Sequence, residues 1–296
     1  MTPKRIKLSI KEALLEATSF LRLRDVDHPR GEAEFILAFS LKQDRIYLYS
    51  NSERMLSTSQ VENFRNLVQR RAKGEPLAYI TGKKEFMGLT FQVNENVLIP
   101  RPETEHLVEA VLEWLDFYYP KSATEGEIRI LDLGTGCGNI ALSLAYYRKD
   151  VYIIGVDIES EAIRLAWKNA SSLEIEKRAK FMHGDYADAL PTGSNFQVIV
   201  SNPPYIQRGE LPFLPPEIRH EPLRALDGGP DGLRDYKTIM QLAHSRLLKP
   251  GLLALEVGEG QGRAILELGD RWGFISVGIK KDYAEHQRVF LFSSPT

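Results

Sequence analysis

The sequence predicts an α/β protein in which a small helical bundle precedes a mostly parallel sheet covered by helices on both faces. Three observations support this fold class. Apolar residues recur with helical spacing up to about residue 82, and strand and helix signals alternate from residue 128 onward. The 296 residues, 43% of them hydrophobic, are enough for two unequal domains. We therefore expect a helical domain at residues 1–82, a hairpin linker at 83–99 and a sheet domain at 100–296.

The front domain is predicted to contain three helices. Ser9 and Glu12 have the spacing of a capping box, and apolar residues follow on one helical face. A second helix is expected over residues 30–41. A third is expected to begin after Ser59 and Glu62, which again have capping-box spacing. These helices predict a small bundle.

The linker and the sheet domain show a different pattern. Two short apolar runs flank "NEN" at 94–96 and predict a hairpin within residues 83–99. Residues 100–115 then predict a helix with proline and acidic residues in its first turn. Strands are expected at 128–134, 151–157, 179–184, 196–202, 251–257, 274–280 and 287–292, and helices at 138–147, 160–173, 235–248 and 261–269. In such a sheet, ligands bind at the carboxyl ends of the strands.

Composition and charge restrict the class of protein. The net charge of −2 and the pI of about 6.3 give no reason to expect direct nucleic-acid binding. Residues 1–84 nevertheless carry 16 basic and 10 acidic side chains, against 22 and 30 in the remainder. This asymmetry fits either a docking role for the front segment or an ordinary solvated helical surface.

The cellular environment can also be predicted. A single cysteine, Cys137, excludes an internal disulfide and fits a reducing compartment. No apolar run approaches the roughly 20 residues that span a bilayer, and the first residues lack a signal-peptide core. The histidines lack metal-ligand spacing, so we assign no metal. We expect a cytoplasmic monomer that does not bind membranes.

A glycine-rich turn and a spaced acid predict an adenosine-type cofactor. "DLGTGCGNIA" leaves one strand and enters a helix, whose first N–H groups are free. Asp157 ends the next strand, 19 residues after Gly138, where a carboxylate can accept both hydroxyls of a ribose. Cys137 is expected to be a small side chain of the loop. The candidate cofactor-binding residues of this region are Gly134, Thr135, Gly136, Cys137, Gly138 and Asp157.

The identity of the cofactor is less sharply defined by this loop. "GCGNIA" fits the form of a nicotinamide site. Asp132, just before the loop, favours instead a cofactor with a cationic amino-acid part, because opposite charges attract. We therefore prefer S-adenosylmethionine. Tyr186 would lie against its adenine and Asp185 would accept from the adenine amino group. The alternative is that Tyr186 is an ordinary amphipathic side chain in a loop and does not contact a cofactor.

"SNPPYI" ends the strand at which a methyl acceptor would meet this cofactor. Two prolines in succession remove two N–H donors, so the turn presents oxygen acceptors. The Asn202 side-chain oxygen and the Pro203 carbonyl would each accept one hydrogen of a planar NH₂ group, beside Pro204, and Tyr205 would stack on that group. The motif lies 45 residues after Asp157 at a strand end, which argues against a plain proline-rich turn.

These motifs carry a family resemblance. "DLGTGCG", Asp157 and "NPPY" resemble Rossmann-like class I S-adenosylmethionine-dependent methyltransferases that act on planar nitrogens. Two further segments, residues 75–109 and 220–236, resemble more specifically the HemK/PrmC family, the release factor N5-glutamine methyltransferases. The resemblance implies that the acceptor is the glutamine of the Gly-Gly-Gln loop of class I release factors, and that the front domain helps to dock them. It also implies cofactor contacts at residues 134–138, Asp157, Tyr186 and Asn202, and substrate contacts at Asn202, Pro203, Pro204 and Tyr205.

Three further functions stay open at this point. Ribosomal-protein glutamine methyltransferases share "NPPY", although "IPRPETE" favours the release-factor branch. A nucleic-acid N-methyltransferase would need a basic face, and a nucleotide-binding sensor would bind a dinucleotide without catalysis. Arg101, Glu103 and Thr104 are left without an assigned role beyond helix capping.

Overall fold

A computed structural model of the protein describes residues 7–120, 127–186 and 188–294. The chain divides into two compact units. The first runs to Gly82 and also contains Pro215–His220, and the second contains Lys83–Leu214 and the chain from Glu221 onward. Within the described ranges, no helix is long and apolar enough to cross a membrane.

The first unit contains five helices among its described residues. They are α1 (Ile10–Arg22), α2 (Pro29–Leu41), α3 (Arg45–Ser50), α4 (Thr58–Ala72) and α5 (Leu77–Thr81). The buried apolar faces of the three long helices form one core, which includes Ile10, Leu37 and Phe64. The helices α3 and α5 were not predicted, because helices of 6 and 5 residues are too short to show a helical period.

Helix capping explains where two of these helices begin. The predicted capping box of α1 is confirmed: Ser9 accepts from the Glu12 amide, and the Glu12 carboxylate accepts from the Ser9 amide. The predicted cap of α4 at Ser59 is wrong. Ser57 caps this helix and forms its box with Gln60, so the helix begins two residues earlier than expected.

Residues 215–220 were included in the predicted sheet domain, whereas the structure groups them with the helical unit. Arg71 explains this difference. Its guanidinium is only 3% exposed and pairs with both Glu32 on α2 and Glu217 of the returning segment. A buried arginine requires such anionic partners, and no local sequence pattern reveals a partner 146 residues away.

The second unit begins with an antiparallel hairpin of β1 (Lys83–Phe86) and β2 (Leu89–Gln92). A hairpin was expected in this segment, but its turn lies at Met87 and Gly88 and not at 94–96. Both turn residues have positive φ, 50° and 68°, as a two-residue turn between twisted strands requires. Methionine is uncommon in that conformation, which is why the turn was misplaced.

The rest of the second unit is a seven-stranded sheet with helices, and it confirms the predicted α/β class. Its strands are β3 (Ile128–Leu133), β4 (Val151–Asp157), β5 (Ala179–His183), β6 (Phe196–Ser201), β7 (Leu247–Glu256), β8 (Ile275–Lys281) and β9 (Gln287–Ser293). The helices are α6 (Glu105–Tyr118), α7 (Asn139–Tyr147), α8 (Ser160–Ser172), α9 (Arg234–Arg246) and α10 (Gly262–Arg271), with a 3₁₀ turn at Pro102–Thr104 before α6.

The strand order positions the site. It is β5-β4-β3-β6-β7-β9-β8, and β9 alone runs opposite in direction to the other six strands. The chain leaves β3 toward β4 on one side, while β6 lies on the other side of β3. The order therefore reverses between β3 and β6, and such a switch point opens a crevice at the carboxyl ends of the strands.

Candidate active site

A cleft of about 820 Å³ lies at this switch point within the second unit. It is lined by residues that follow β3, β4, β5 and β6, and by residues of the segment that precedes α6. The cleft therefore collects side chains from distant parts of the sequence. The predicted site residues that line it are Gly134, Thr135, Gly136, Asp157, Tyr186, Asn202 and Pro204.

Strand register brings the glycine loop and "NPPY" side by side. Leu133, the last residue of β3, pairs with Ser201, the last residue of β6. The Ser201 hydroxyl also donates to the Leu133 carbonyl at 2.6 Å, so the two strand ends are held together. Gly134 and Asn202 are the next residues along each chain. The fold thus places the two motifs at neighbouring positions on one edge of the sheet.

The glycine loop is held in a conformation that brings its backbone to the cleft. Gly134, Gly136 and Gly138 have φ of 73°, 54° and 83°, which side chains rarely adopt. The amides of Gly134 and Thr135 both donate to the Val156 carbonyl, at 2.9 and 3.0 Å. Gly138 then serves as the N-cap of α7. The loop therefore leaves space for a ligand to approach the backbone directly.

Asp157 lies at the end of β4, as the spacing predicted, and is braced by two backbone amides. One carboxylate oxygen accepts from the Gly136 amide at 2.8 Å and the other from the Glu159 amide at 2.9 Å. Burial raises the pKa of Asp157, and the charge of Glu159 adds to that, while the two amides oppose the shift. The bracing orients the carboxylate at the wall of the cleft.

Asp132 has a different role from the one expected. Its side chain is fully buried and does not line the cleft. One oxygen accepts from the Thr135 hydroxyl at 2.7 Å, and within the described ranges the other has no hydrogen-bond partner. Burial raises its pKa to about 7. Asp132 therefore supports the loop from behind and does not touch a ligand in the cleft.

Tyr186 reaches across the cleft to the glycine loop. A β-carbon built on Gly134 would lie 3.5 Å from the Tyr186 hydroxyl, which donates to Asp235 at 3.4 Å. Burial raises the pKa of Tyr186 well above its usual value, so the phenol keeps its hydrogen. The ring and its carboxylate partner, together with Asp185, form one wall of the cleft.

Asn202 is held by two side chains that the sequence analysis did not assign. Its amide nitrogen donates to the Thr104 hydroxyl at 3.1 Å, and that hydroxyl donates to the Glu256 carboxylate at 2.6 Å. Thr104 and Glu256 are each only 1% exposed. Burial raises the pKa of Glu256 to about 7, although Thr104 and nearby arginines lower it.

Four predicted site residues do not line the cleft. Pro203 is buried below it, and the side chain of Tyr205 packs beside Gly258, where a β-carbon would lie 2.9 Å from the ring. Burial raises the pKa of Tyr205 to about 12. Cys137 is completely buried, and the cap residue Gly138 also lies behind the cleft surface. Burial raises the pKa of the Cys137 thiol to about 12, so it is not a nucleophile.

Glu221 connects two segments of the site that are 120 residues apart in the chain. Its buried carboxylate accepts from the Ile99 amide at 3.1 Å and also pairs with the Arg101 guanidinium. Arg101 lines the cleft. The two segments are "IPRPETE" and "HEP", both of which carry the family resemblance.

The arrangement can hold a nucleoside and a planar nitrogen group side by side. Asp157 and the residues of the glycine loop line one part of the cleft, and Asn202 and Pro204 line another. No group of three or more His, Cys, Asp or Glu side chains within the described parts of the chain is placed to hold a metal ion.

Comparison with solved structures relates the fold to known methyltransferases. A methyltransferase from Pyrococcus furiosus superposes with a TM-score of 0.52 at 17% identity, covering 78% of this chain and 99% of that one. The hMettl16 catalytic domain, solved with MAT2A 3′UTR hairpin 1, gives 0.54 at 15% identity and covers 80% and 84%. At these identities the likeness concerns the fold alone.

Comparison of sequences is more specific. Residues 12–82 match the family described as PrmC N-terminal domain, and residues 124–256 match a methyltransferase domain. The release factor glutamine methyltransferase of Moorella thermoacetica is 41% identical, covering 96% of this chain and 98% of that protein. The enzyme of the same name from Clostridium acetobutylicum is 38% identical with the same coverage. Because both the helical unit and the methyltransferase unit are included in these matches, the chain belongs to the release factor glutamine methyltransferase family.

Proposed function

We propose that this protein transfers a methyl group from S-adenosylmethionine to the side-chain amide nitrogen of the glutamine in the Gly-Gly-Gln motif of class I release factors. The observation that carries the proposal is the position of Asn202 beside the glycine loop at the switch point, in a chain 38–41% identical to enzymes of that name. It acts on a protein and not on nucleic acid, in the cytoplasm.

The residues around the glycine loop fit the cofactor. The braced Asp157 carboxylate has lone pairs left to accept from the two ribose hydroxyls. The backbone of Gly134 and Gly136 allows close approach, and Tyr186 closes that side. The cofactor supplies an electrophilic methyl group on a positively charged sulfur.

The residues at the end of β6 fit the acceptor. An amide nitrogen is a weak nucleophile because its lone pair is delocalised, so orientation has to contribute most of the acceleration. The Asn202 oxygen, which lines the cleft, accepts one hydrogen of the glutamine NH₂ group. Acceptance of the other hydrogen by the Pro203 carbonyl stays a prediction, because Pro203 does not line the cleft. These bonds strengthen as positive charge develops on the nitrogen, by roughly 1.5–3 kcal/mol each. Holding the nitrogen in line with the methyl group supplies on the order of 7–11 kcal/mol.

The proton leaves after transfer and needs no dedicated base. Methylation makes the nitrogen strongly acidic, so the proton can pass to water once the N–C bond has formed. Tyr205 is not suited to take it, because its pKa of about 12 keeps the phenol protonated. Its stacking on the acceptor stays a prediction.

The helical unit is the proposed docking surface for the release factor. Residues 1–82 carry 14 basic and 10 acidic side chains, a surplus of four positive charges, while the remainder carries 24 and 30, a surplus of six negative charges. A basic surface of this kind favours association with an acidic partner and loses that advantage as salt screens the charges. We expect the KM for the release factor to rise between about 50 and 300 mM salt while the cofactor Kd stays constant. A KM that does not respond to salt would count against docking by charge.

The function is tested by transfer of radiolabelled methyl from S-adenosylmethionine to a purified class I release factor. A release factor whose Gly-Gly-Gln glutamine is replaced serves as the matched control, and DNA, RNA and ribosomes serve as parallel acceptors. We expect label on the wild-type factor and none on the control. Label on nucleic acid or ribosomes alone would overturn the proposed acceptor and retain the methyltransferase activity.

A further inference from the structure

The hydrogen bonds behind Asn202 decide which end of its amide faces the cleft. A hydroxyl has one hydrogen and two lone pairs. The Thr104 hydroxyl lies 2.6 Å from the Glu256 carboxylate, which can only accept when it is ionised. The Thr104 hydroxyl therefore donates its hydrogen to Glu256. The Thr104 oxygen can then only accept further hydrogen bonds. Only the NH₂ end of Asn202 can donate to it, at 3.1 Å, and this leaves the amide oxygen for the cleft.

Protonation of Glu256 would permit the opposite polarity. A neutral carboxyl can donate its own hydrogen to the Thr104 oxygen, which frees the Thr104 hydrogen. That hydrogen can then be given to the Asn202 oxygen, and the amide turns its NH₂ end toward the cleft. An NH₂ group there faces the NH₂ group of the substrate amide, so two donors oppose each other and neither hydrogen bond forms.

We propose that Thr104 and Glu256 are positioning residues of the methyl transfer, which hold the Asn202 oxygen toward the acceptor nitrogen only while Glu256 is ionised. This inference rests on the proposed function, because it assumes that Asn202 accepts from the substrate amide. Neither residue touches the reacting atoms, and both act through Asn202.

The fold keeps this chain of three side chains rigid. Ser201 of β6 pairs with Leu255 of β7, so Glu256 is level with Asn202 on the adjacent strand. The Tyr236 hydroxyl from α9 donates to the Glu256 backbone carbonyl at 2.9 Å and fixes the strand end. Thr104 ends the 3₁₀ turn before α6 and is buried between these elements.

The charges around Glu256 place its titration near neutral pH. Burial raises its pKa to about 7, and Glu103 acts in the same direction. Thr104, Arg288 on β9 and Arg101 lower it. The phenols of Tyr205 and Tyr236 also face this region, and both stay protonated near neutrality because burial raises their pKa values.

The test compares Thr104→Val, which removes the hydroxyl at constant shape, with Thr104→Ser, which keeps it. The kcat for a release factor is measured at saturating cofactor from about pH 5.5 to 8.5, and cofactor affinity is measured by calorimetry. We expect Thr104→Val to lower kcat about 10- to 100-fold at about pH 8 with the cofactor Kd within about twofold, and Thr104→Ser to recover most of the loss. Wild-type kcat in Thr104→Val would overturn the inference.

Glu256→Gln tests the pH dependence. The wild-type kcat is expected to fall on the acid side of about pH 7, following the pKa of Glu256. Glu256→Gln has nothing to titrate, so we expect a lower kcat that is flat over this range. An acid limb that persists unchanged in Glu256→Gln would overturn the inference, because another group would then cause it.

A readout without turnover separates this inference from the proposed function. The side-chain NH₂ signal of Asn202 in a ¹⁵N-labelled sample is identified by its absence from Asn202→Ala. We expect its hydrogen exchange to be slow in wild type and Thr104→Ser and about tenfold or more faster in Thr104→Val. If wild type fails to methylate the release factor but this exchange pattern holds, the proposed function falls and the positioning of Asn202 stands. Equal exchange rates in the three proteins overturn the positioning.

Discussion

Asn202 carries the strongest prediction at the scale of single residues. Asn202→Ala removes the oxygen that accepts from the substrate amide, and with it one orientation contact. We expect kcat to fall about 100-fold or more while cofactor affinity changes by less than about threefold, because Asp157 and the glycine loop stay in place. Initial rates measure kcat, and calorimetry on the same sample measures the cofactor affinity.

The matched control for this prediction is an asparagine at the other end of the same strand. Asn195 is exposed just before β6, and Asn202 follows the other end of that strand. Asn195→Ala should leave both quantities unchanged. Full activity in Asn202→Ala would remove the assigned role.

Replacement of Asp157 is expected to affect the binding of the cofactor. Its carboxylate is already braced by the amides of Gly136 and Glu159, and it is proposed to accept from two ribose hydroxyls. Asp157→Ala should weaken the cofactor Kd by about 10- to 100-fold, the value of one to two hydrogen bonds to a charged acceptor. Calorimetric titration measures this. Glu267→Gln, on an exposed face of α10, removes a carboxylate charge as the control. An unchanged Kd in Asp157→Ala would contradict the ribose assignment.

The start of α4 provides a prediction at the scale of a single element. Ser57 accepts from the Gln60 amide, and the Gln60 side chain accepts from the Ser57 amide. Ser57→Ala should lower the free energy of unfolding by about 1 kcal/mol. Ser59→Ala, at the position that the sequence analysis selected, should cost much less. Urea unfolding followed by circular dichroism compares the two, and a larger loss in Ser59→Ala would contradict the observed cap.

Other elements show why short segments were harder to predict than long ones. The strands and long helices of the second unit were predicted to within two residues at most ends, because their apolar periodicity is strong. The exceptions are β7, which begins four residues earlier than predicted, and α6, which begins five residues later and ends three residues later. The hairpin was placed correctly but its turn was not, since Met87 adopts positive φ without the usual Asn-Gly signal. Capping-box spacing occurred twice near α4, and only packing selects between the two.

The stability of the whole molecule should depend on pH through its buried acids. Burial raises the pKa of Asp132 from 3.8 to about 7, so the folded protein binds a proton that the unfolded chain has already lost. The free energy of unfolding should therefore fall as pH rises from about 4 to about 7 and then level off. A tenfold difference in proton affinity between the folded and unfolded states corresponds to about 1.4 kcal/mol. Glu256 acts in the same direction.

Asp132→Asn isolates the contribution of one acid. We expect the difference in urea midpoint between about pH 5 and pH 8, measured without cofactor, to shrink in this variant but not to vanish, because Glu256 still titrates. Asp270→Asn, at an exposed position on α10, should behave as wild type. A pH response in Asp132→Asn as large as that of wild type would show that Asp132 is ionised in the folded protein.

Local sequence patterns were sufficient to predict the α/β class, the strand and helix order, the glycine loop with its spaced Asp157, and the Asn202 motif at a strand end. In each case the apolar period, the turn residues and the spacing are read along the chain. The two segments that resemble the family also indicated the expected reaction and acceptor.

The groups that stand behind these motifs became known only from the folded structure. Thr104 and Glu256 are 98 and 54 residues from Asn202 in the chain. Strand register places Glu256 level with Asn202, and the 3₁₀ turn before α6 brings Thr104 to both. Glu221 joins its two segments in the same way, and Asp132 proved to support the loop from within the core. Long-range contacts of buried polar groups leave no periodic trace in a single sequence, because their partners are selected by the fold and not by neighbouring residues.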